Sequence, residues 1–323
     1  MLTGSLVAAV LFVAFTNGAN ANFKGVASLY GSGLTTRRTA LLWGTMTTWL
    51  GCIAAAFFAR GLLAQFSGKG VVPNELVASP VFALAVALGG AVTSFLATRI
   101  GFPVSTTHAL VGALAGAGLA AAPADVAWGP LAWSFLIPLL FSPIMAMAMG
   151  YLACRILART GSLTTLPSRW NNRLHFLSAG AASFARGMND APKMAALFML
   201  LPDFSPIVAI LLVSVAMAAG GLLDSKNVAE TLGKKLTAME VNDGLVASLT
   251  TACLVISASY HSLPVSTTHV SVGSLAGIGV ANNRLHRRKM VEIAMAWICT
   301  VPCGATLAAI AYTVASRLVL VAT

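Results

Sequence analysis

The sequence predicts an all-α polytopic membrane protein made of two inverted-topology repeats of about five membrane segments each. Three observations predict it. Of 323 residues, 58% are hydrophobic and only 9% charged, with a mean hydropathy of +0.85. A soluble chain of this length could not cover its surface with so few polar groups. Apolar stretches of roughly 17 to 27 residues recur from end to end, each long enough to cross a hydrocarbon core of about 30 Å. Finally, Pro103-Val-Ser-Thr-Thr-His108 returns as Pro264-Val-Ser-Thr-Thr-His269, and Val111-Gly112, Gly116 and Gly118 return as Val272-Gly273, Gly277 and Gly279. Repetition inside an apolar chain points to a duplicated membrane transporter.

Taken in order, the segments fall near 2–30, 39–59, 80–98, 103–121 and 131–157, then 174–200, 206–222, 243–258, 264–281 and 290–316. The first, over Met1 to Asn22, has no basic n-region and is expected to be a retained helix rather than a cleaved signal. Residues 1–158 form the first repeat, 159–173 a basic cytoplasmic linker and 174–323 the second repeat. With the N-terminus outside, the inner loops collect Arg37, Arg38, Arg99, Arg155, Arg159, Arg169, Arg173, Lys226, Lys234, Lys235, Arg284, Arg287, Arg288 and Lys289. Only Arg60, Lys69 and Arg317 lie outside, and Lys24, Arg186 and Lys193 sit within segments. That bias places both termini outside a cell (inner or plasma) membrane. The net charge of +11 is thereby explained by topology rather than by nucleic acid. An odd number of crossings per repeat turns the second copy upside down, the arrangement alternating access needs.

The segments around Ala78–Leu119 and Ala247–Ala281 read either as two full crossings or as a re-entrant hairpin with the Pro-Val-Ser-Thr-Thr motif at its tip. Hydroxyls at an aqueous edge could not grip a substrate at mid-membrane, which favours a broken or re-entrant geometry. Irregular backbone at that depth must be buried in protein or line a cavity.

A second repeated signal is polar. Asn17-Gly-Ala-Asn-Ala-Asn-Phe-Lys24 aligns with Arg186-Gly-Met-Asn-Asp-Ala-Pro-Lys193, so Asn20 matches Asn189, Lys24 matches Lys193 and Ala21 faces Asp190. Asn and Lys four apart share a helix face. Charges inside a bilayer cost at least ~2.5–3.5 kcal/mol each and normally face a cavity with a task. The plainer alternative is that Lys193 neutralises Asp190 to fix a bundle register. Pro192 favours a helix interruption here, freeing carbonyls for a cation.

Ser105, Thr106 and Thr107, and their copies Ser266, Thr267 and Thr268, follow a proline and open an apolar helix. Their first role is N-capping. Hydroxyls and free amides at two converging helix starts, with Lys24 and Lys193 as anion contacts, would also suit a small tetrahedral oxyanion. The alternative is two ordinary caps, or threonines bonded back to their own helices. His108 and His269 are read as structural hydrogen-bonders before proton relays, and Arg99 as a loop charge or an anion guide. Five cysteines lie in apolar stretches without metal-ligand spacing and read as packing. No phosphate loop, metal set or nucleophile elbow is present, so neither a pump nor an enzyme is supported and no cofactor is expected. Coupling then falls to an ion gradient.

These motifs resemble the inorganic phosphate transporter (PiT, or Pho-4) family, marked by a Gly-Ala-Asn-Asp signature in each half and by Pro-Val-Ser-Thr-Thr-His segments. The resemblance spans both repeats. It implies symport of inorganic phosphate with Na⁺ or H⁺. The phosphate shell it implies is Asn20, Ser105, Thr106, Thr107, Asn189, Asp190, Ser266, Thr267 and Thr268. Cation ligands would come from Asn20, Asn189, Asp190 and nearby carbonyls. The chain departs from the pattern at Ala21, where the signature carries Asp; either a cation site is lost or a neighbour such as Asn22 substitutes. Sulfate permease, a non-transporting phosphate sensor and an anion channel stand as alternatives. HPO₄²⁻ has a proton to donate to Asp190 and sulfate has none, which keeps phosphate ahead. Ala- and Gly-rich helices suit close packing in the lipid bilayer, and a homodimer is compatible with them, though they identify no interface.

Overall fold

The computed structural model describes residues 2–58, 60–66, 68, 70–161, 167–201 and 204–322. Lys69 and the centre of the expected linker lie outside the described residues. Ten principal helices follow the hydropathy pattern. The first five are α1 (Leu2–Ala21), α2 (Arg37–Phe58), α3 (Pro80–Arg99), α4 (Thr106–Ala121) and α5 (Ile137–Thr160). The second five are α6 (Ser168–Ala195), α7 (Pro206–Asp224), α8 (Val241–Tyr260), α9 (Thr267–Ala281) and α10 (Arg287–Ala322). Among the described residues seven helical stretches are long and apolar enough to cross a membrane. The other three are α4, α6 and α9. α6 is too polar along its 28 residues, and α4 and α9 hold 16 and 15 residues, about 24 and 22 Å of helix. α5 continues to Thr160 and ends on Gly161 in the left-handed conformation (φ 65°), while α6 starts at Ser168 after Pro167. Helix therefore takes over both ends of the expected linker.

The two short helices are the return arms of hairpins, and both returns are broken. α3 runs its full length to Arg99, which pairs with Asp224 at 3.4 Å beside the α7–α8 connection. The chain then turns at Gly101 (φ 79°), whose carbonyl accepts from Thr231, and comes back extended before α4 begins at Thr106. The second hairpin repeats this move. Ser262 holds φ 56° at the place of Gly101, and α9 begins at Thr267. Val104, Ser105 and Ser266 are all buried, so the residues that lead into α4 and α9 run inside protein.

The halves interlock rather than sit side by side. α10 packs on α3 and α4, while α5 packs on α8 and α9. Likewise α1 packs on α7, and α6 on α2. Glycine makes these crossings close. A Cβ at Gly18 would overlap the carbonyl oxygen of Met217, and one at Gly187 that of Thr48. The loops from Tyr30, Arg99–Gly101, Asp224–Glu240 and Asn282–His286 gather at one end of the bundle, joined by Tyr30–Glu230, Lys234–Tyr30 and Thr237–Arg284 hydrogen bonds. That end carries the basic loops.

Gly187→Val is expected to destabilise the detergent-solubilised protein by about 3 kcal/mol, the upper end of the usual overpacking cost, since backbone rather than a flexible tip blocks it. Gly4→Ala, with open space around it, serves as the neutral control. Thermal unfolding of both variants measures the difference.

Candidate functional site

The site begins with the serines. Ser105 Oγ accepts from the His108 amide at 3.1 Å and Ser266 Oγ from the His269 amide at 3.2 Å. Both serines are thus helix caps, as the local sequence suggested. The threonines instead bond across the molecule. Thr106 Oγ1 accepts from Asn17 Nδ2 (3.0 Å), and Thr267 Oγ1 donates to Asp190 Oδ2 (3.1 Å). Thr268 Oγ1 donates to the Val104 carbonyl at 2.7 Å, so the two proline-led stretches touch. Two helix N-termini, each with positive dipole ends, therefore converge on one buried region.

The lysines complete it with crossed contacts. Lys24 Nζ donates to Asn20 Oδ1 (3.0 Å), to the Val104 carbonyl (2.8 Å) and to Thr268 Oγ1 (2.5 Å). Lys193 Nζ donates to Asp190 Oδ1 (3.2 Å), to the Val265 carbonyl (2.8 Å) and to Thr107 Oγ1 (2.9 Å). Each lysine thus binds the carbonyl of its own half and the hydroxyl of the other. All three donors of each ammonium are committed. An anion contact from either lysine would displace one of these bonds.

Asn20 holds the first extended stretch, while Asn189 reaches only the helix before the second. Asn20 Nδ2 donates to Thr98 Oγ1 (3.0 Å) and the Phe102 carbonyl (2.9 Å), and its Oδ1 accepts from the Val104 amide (3.0 Å). Asn189 Nδ2 donates to Ser259 Oγ at 2.9 Å, the equivalent of Thr98. Its Oδ1 is buried without a partner among the described residues. Asn22 turns elsewhere: its Nδ2 donates to Thr45 Oγ1 at 2.6 Å and its Oδ1 accepts from Arg186.

Arg186 is the residue that motif reading passed over. It is among the largest fully buried side chains. Its guanidinium donates to Asn17 Oδ1 (2.6 Å) and Asn22 Oδ1 (3.0 Å), and its Nε lies 3.5 Å from Asp190 Oδ2. The signal was available, because Arg186 is a full charge at the place where the first repeat has Asn17. Asn17 also reaches Asp190 Oδ2 at 3.4 Å. Thr98 and Ser259 gave no signal, since hydroxyls in apolar helices are common and usually bond their own backbone. The network sets three basic side chains, Lys24, Arg186 and Lys193, against the single carboxylate of Asp190, all of them buried.

His269 Nδ1 lies 3.0 Å from the Leu139 carbonyl, and its ring packs on Trp297 and, at 4.5 Å between centroids, on His108. These contacts fit the structural role. Arg99, paired with Asp224 at the surface, takes no part in the network.

Two small cavities flank the network. One, about 20 Å³, lies beside Lys193 and is walled by Phe66, Phe82, Val86, Leu110 and Leu197. The other, about 10 Å³, lies beside Lys24 towards the basic end, walled by Ser28, Ser248, Thr251 and Ser271. Each has room for about one water molecule. Val86 and Ala247, Leu110 and Ser271, and Leu197 and Ser28 are repeat equivalents, so one side is lined by apolar groups and the other by hydroxyls. His175 Nε2, Ser28 Oγ and Ser248 Oγ form a chain of 2.9 Å hydrogen bonds across the hydroxyl side.

Arg186→Met would leave two amide oxygens and part of Asp190 unmatched. A loss of about 3 kcal/mol in unfolding free energy is expected, with Arg186→Lys recovering only the charge. Denaturant titration in detergent distinguishes the two variants.

Comparison with known proteins identifies the family of the chain. The model of the phosphate transporter family matches residues 17–170 and 164–308. A probable low-affinity inorganic phosphate transporter of Rhizobium meliloti (strain 1021) is 27% identical, with 95% of this chain and 94% of the relative covered. Its counterpart in Bacillus subtilis (strain 168) is 27% identical over 97% and 96%. Sulfate permease CysP of the same bacterium is 26% identical over 89% and 81%. A solved structure described as the sodium-dependent phosphate transporter shares the fold, with a TM-score of 0.85 at 22% identity, covering 97% of this chain and 98% of that one. These relatives are transporters rather than enzymes, and the chain belongs to the phosphate transporter family.

Proposed function

We propose that the protein moves inorganic phosphate across a cell membrane by symport with Na⁺ or H⁺, its two halves acting as inverted repeats in alternating access. The carrying observation is the buried surplus of basic side chains. In this reading Lys24, Arg186 and Lys193 exceed Asp190 by two positive charges, which a dianion such as HPO₄²⁻ neutralises. The converging starts of α4 and α9 supply amides and hydroxyls of the kind a tetrahedral oxyanion takes. Asn20, Ser105, Thr106, Thr107, Asn189, Asp190, Ser266, Thr267 and Thr268 form the phosphate shell in this reading. The two serines contribute through the helix starts they cap.

Asp190 accepts from Lys193 and Thr267, and in this reading its carboxylate oxygens also accept the proton of HPO₄²⁻. Sulfate offers no such proton; that separates the phosphate reading from a sulfate one, which the CysP relative favours. Coupling to Na⁺ is supported by the name of the solved neighbour, and the interlocked, equivalent packing of the two halves supports the inverted-repeat reading. The basic end faces the cytoplasm, both termini lie outside, and the apolar outer faces meet lipid.

Reconstituted protein is expected to accumulate labelled phosphate against its gradient only with inward Na⁺ or H⁺. Downhill flux alone would indicate a channel, binding without flux a sensor, and preference for sulfate a sulfate permease. Asp190→Asn and Thr267→Val are each expected to weaken phosphate affinity by roughly 10- to 100-fold, the worth of a hydrogen bond to a charged group. Asp190→Asn should also narrow the preference for phosphate over sulfate, measured by competition.

A further inference from the structure

The two lysine cages differ in a way that bears on the coupling ion. Around Lys193 one of the three oxygens is the carboxylate of Asp190. Around Lys24 all three are neutral: an amide oxygen, a main-chain carbonyl and a hydroxyl, within 3.0 Å of Nζ. Freed carbonyls beside discontinuous helices, with neighbouring side-chain oxygens, are the ligands a hard monovalent cation takes. In this chain an ammonium already holds that point. Its stem rises one helical turn from Asn20, and the residue is 3% exposed.

A free cation in the same place would lie against a like charge in a low-dielectric interior, with no carboxylate at Ala21 to offset it. Asn22, the nearest substitute, is engaged with Thr45 and Arg186. The second half differs. Lys193 leans on Asp190 and leaves the buried Asn189 Oδ1 without a partner among the described residues, whereas Asn20 Oδ1 accepts from both Lys24 and the Val104 amide.

We propose that the Lys24 ammonium is a tethered cation that takes the place of a free coupling ion in the first half. This rests on the reading of the protein as an ion-coupled phosphate transporter. A tethered charge cannot be released on the far side, so each cycle carries at most one free cation through these two cages.

The test combines phosphate uptake into proteoliposomes, Na⁺ being replaced by choline at fixed pH, with ²²Na⁺ binding to the purified chain. For the unmodified protein a Hill coefficient for Na⁺ of no more than about one is expected, together with at most one saturable Na⁺ per chain. Lys24→Ala and Lys24→Met should each gain one saturable Na⁺ and show about tenfold stimulation of uptake by Na⁺. A Hill coefficient near two in the unmodified protein, two bound Na⁺ there, or no added Na⁺ in a monodisperse Lys24 variant overturns the proposal. Should neither variant stay monodisperse, the Na⁺ count of the unmodified protein decides. Absence of phosphate uptake under every ion gradient would sink the transport reading alone, because the Na⁺ counts are read without transport.

Discussion

Positive charge held out of water is the constraint around which this protein is organised. Three cationic side chains share one carboxylate inside a bundle of apolar helices, and burial of unpaired charge is costly unless many oxygens surround it. The fold supplies those oxygens by interrupting itself. Two hairpins break their return arms, and the extended stretches expose carbonyls at Val104 and Val265 to the lysine ammoniums. Regular helices throughout would have used those carbonyls internally and left both lysines without partners. Broken backbone at this depth in turn requires protein on every side, which the close glycine crossings and the interlocked halves provide.

The near-symmetry of the site makes its departures informative. Corresponding atoms are matched across the halves: lysine to opposite threonine, asparagine to Thr98 or Ser259, serine to its own helix amide. Against that background the second half carries Arg186 and Asp190 where the first carries Asn17 and Ala21. The unpaired asymmetry is resolved across the interface, since Arg186 reaches into the first half to Asn17 and Asn22. The same bias continues into the flanking cavities, apolar beside Lys193 and hydroxylated beside Lys24. Hydroxyl contacts can exchange partners with water on opening, while an apolar contact opens only by exposing hydrocarbon. The two sides of the site are therefore held by different forces.

Much of this was legible in the chain. Hydropathy located most of the helices, because a helix in or near lipid must be apolar along most of its length; α6, polar along its length, is the exception. Identity of the Pro-Val-Ser-Thr-Thr-His phrases and alignment of Lys24 with Lys193 pointed to polar residues that the fold brings together, since repetition is improbable without a shared structural use. Proline followed by serine marked the two caps. Arg186 was visible as a charge yet was passed over, because the motif drew attention to Asp190 beside it.

By itself the sequence determined the membrane class, the duplication, the helix positions and the set of polar side chains kept inside apolar segments. These follow from composition and periodicity, which are local properties of a chain. Tertiary structure alone decided which distant partner each side chain meets: that lysines cross to the other half's threonines and that Asn22 turns to Arg186. Those pairings join residues between 86 and 244 positions apart. They are set by how two interlocked halves share a limited number of oxygens among more cations than one carboxylate can satisfy.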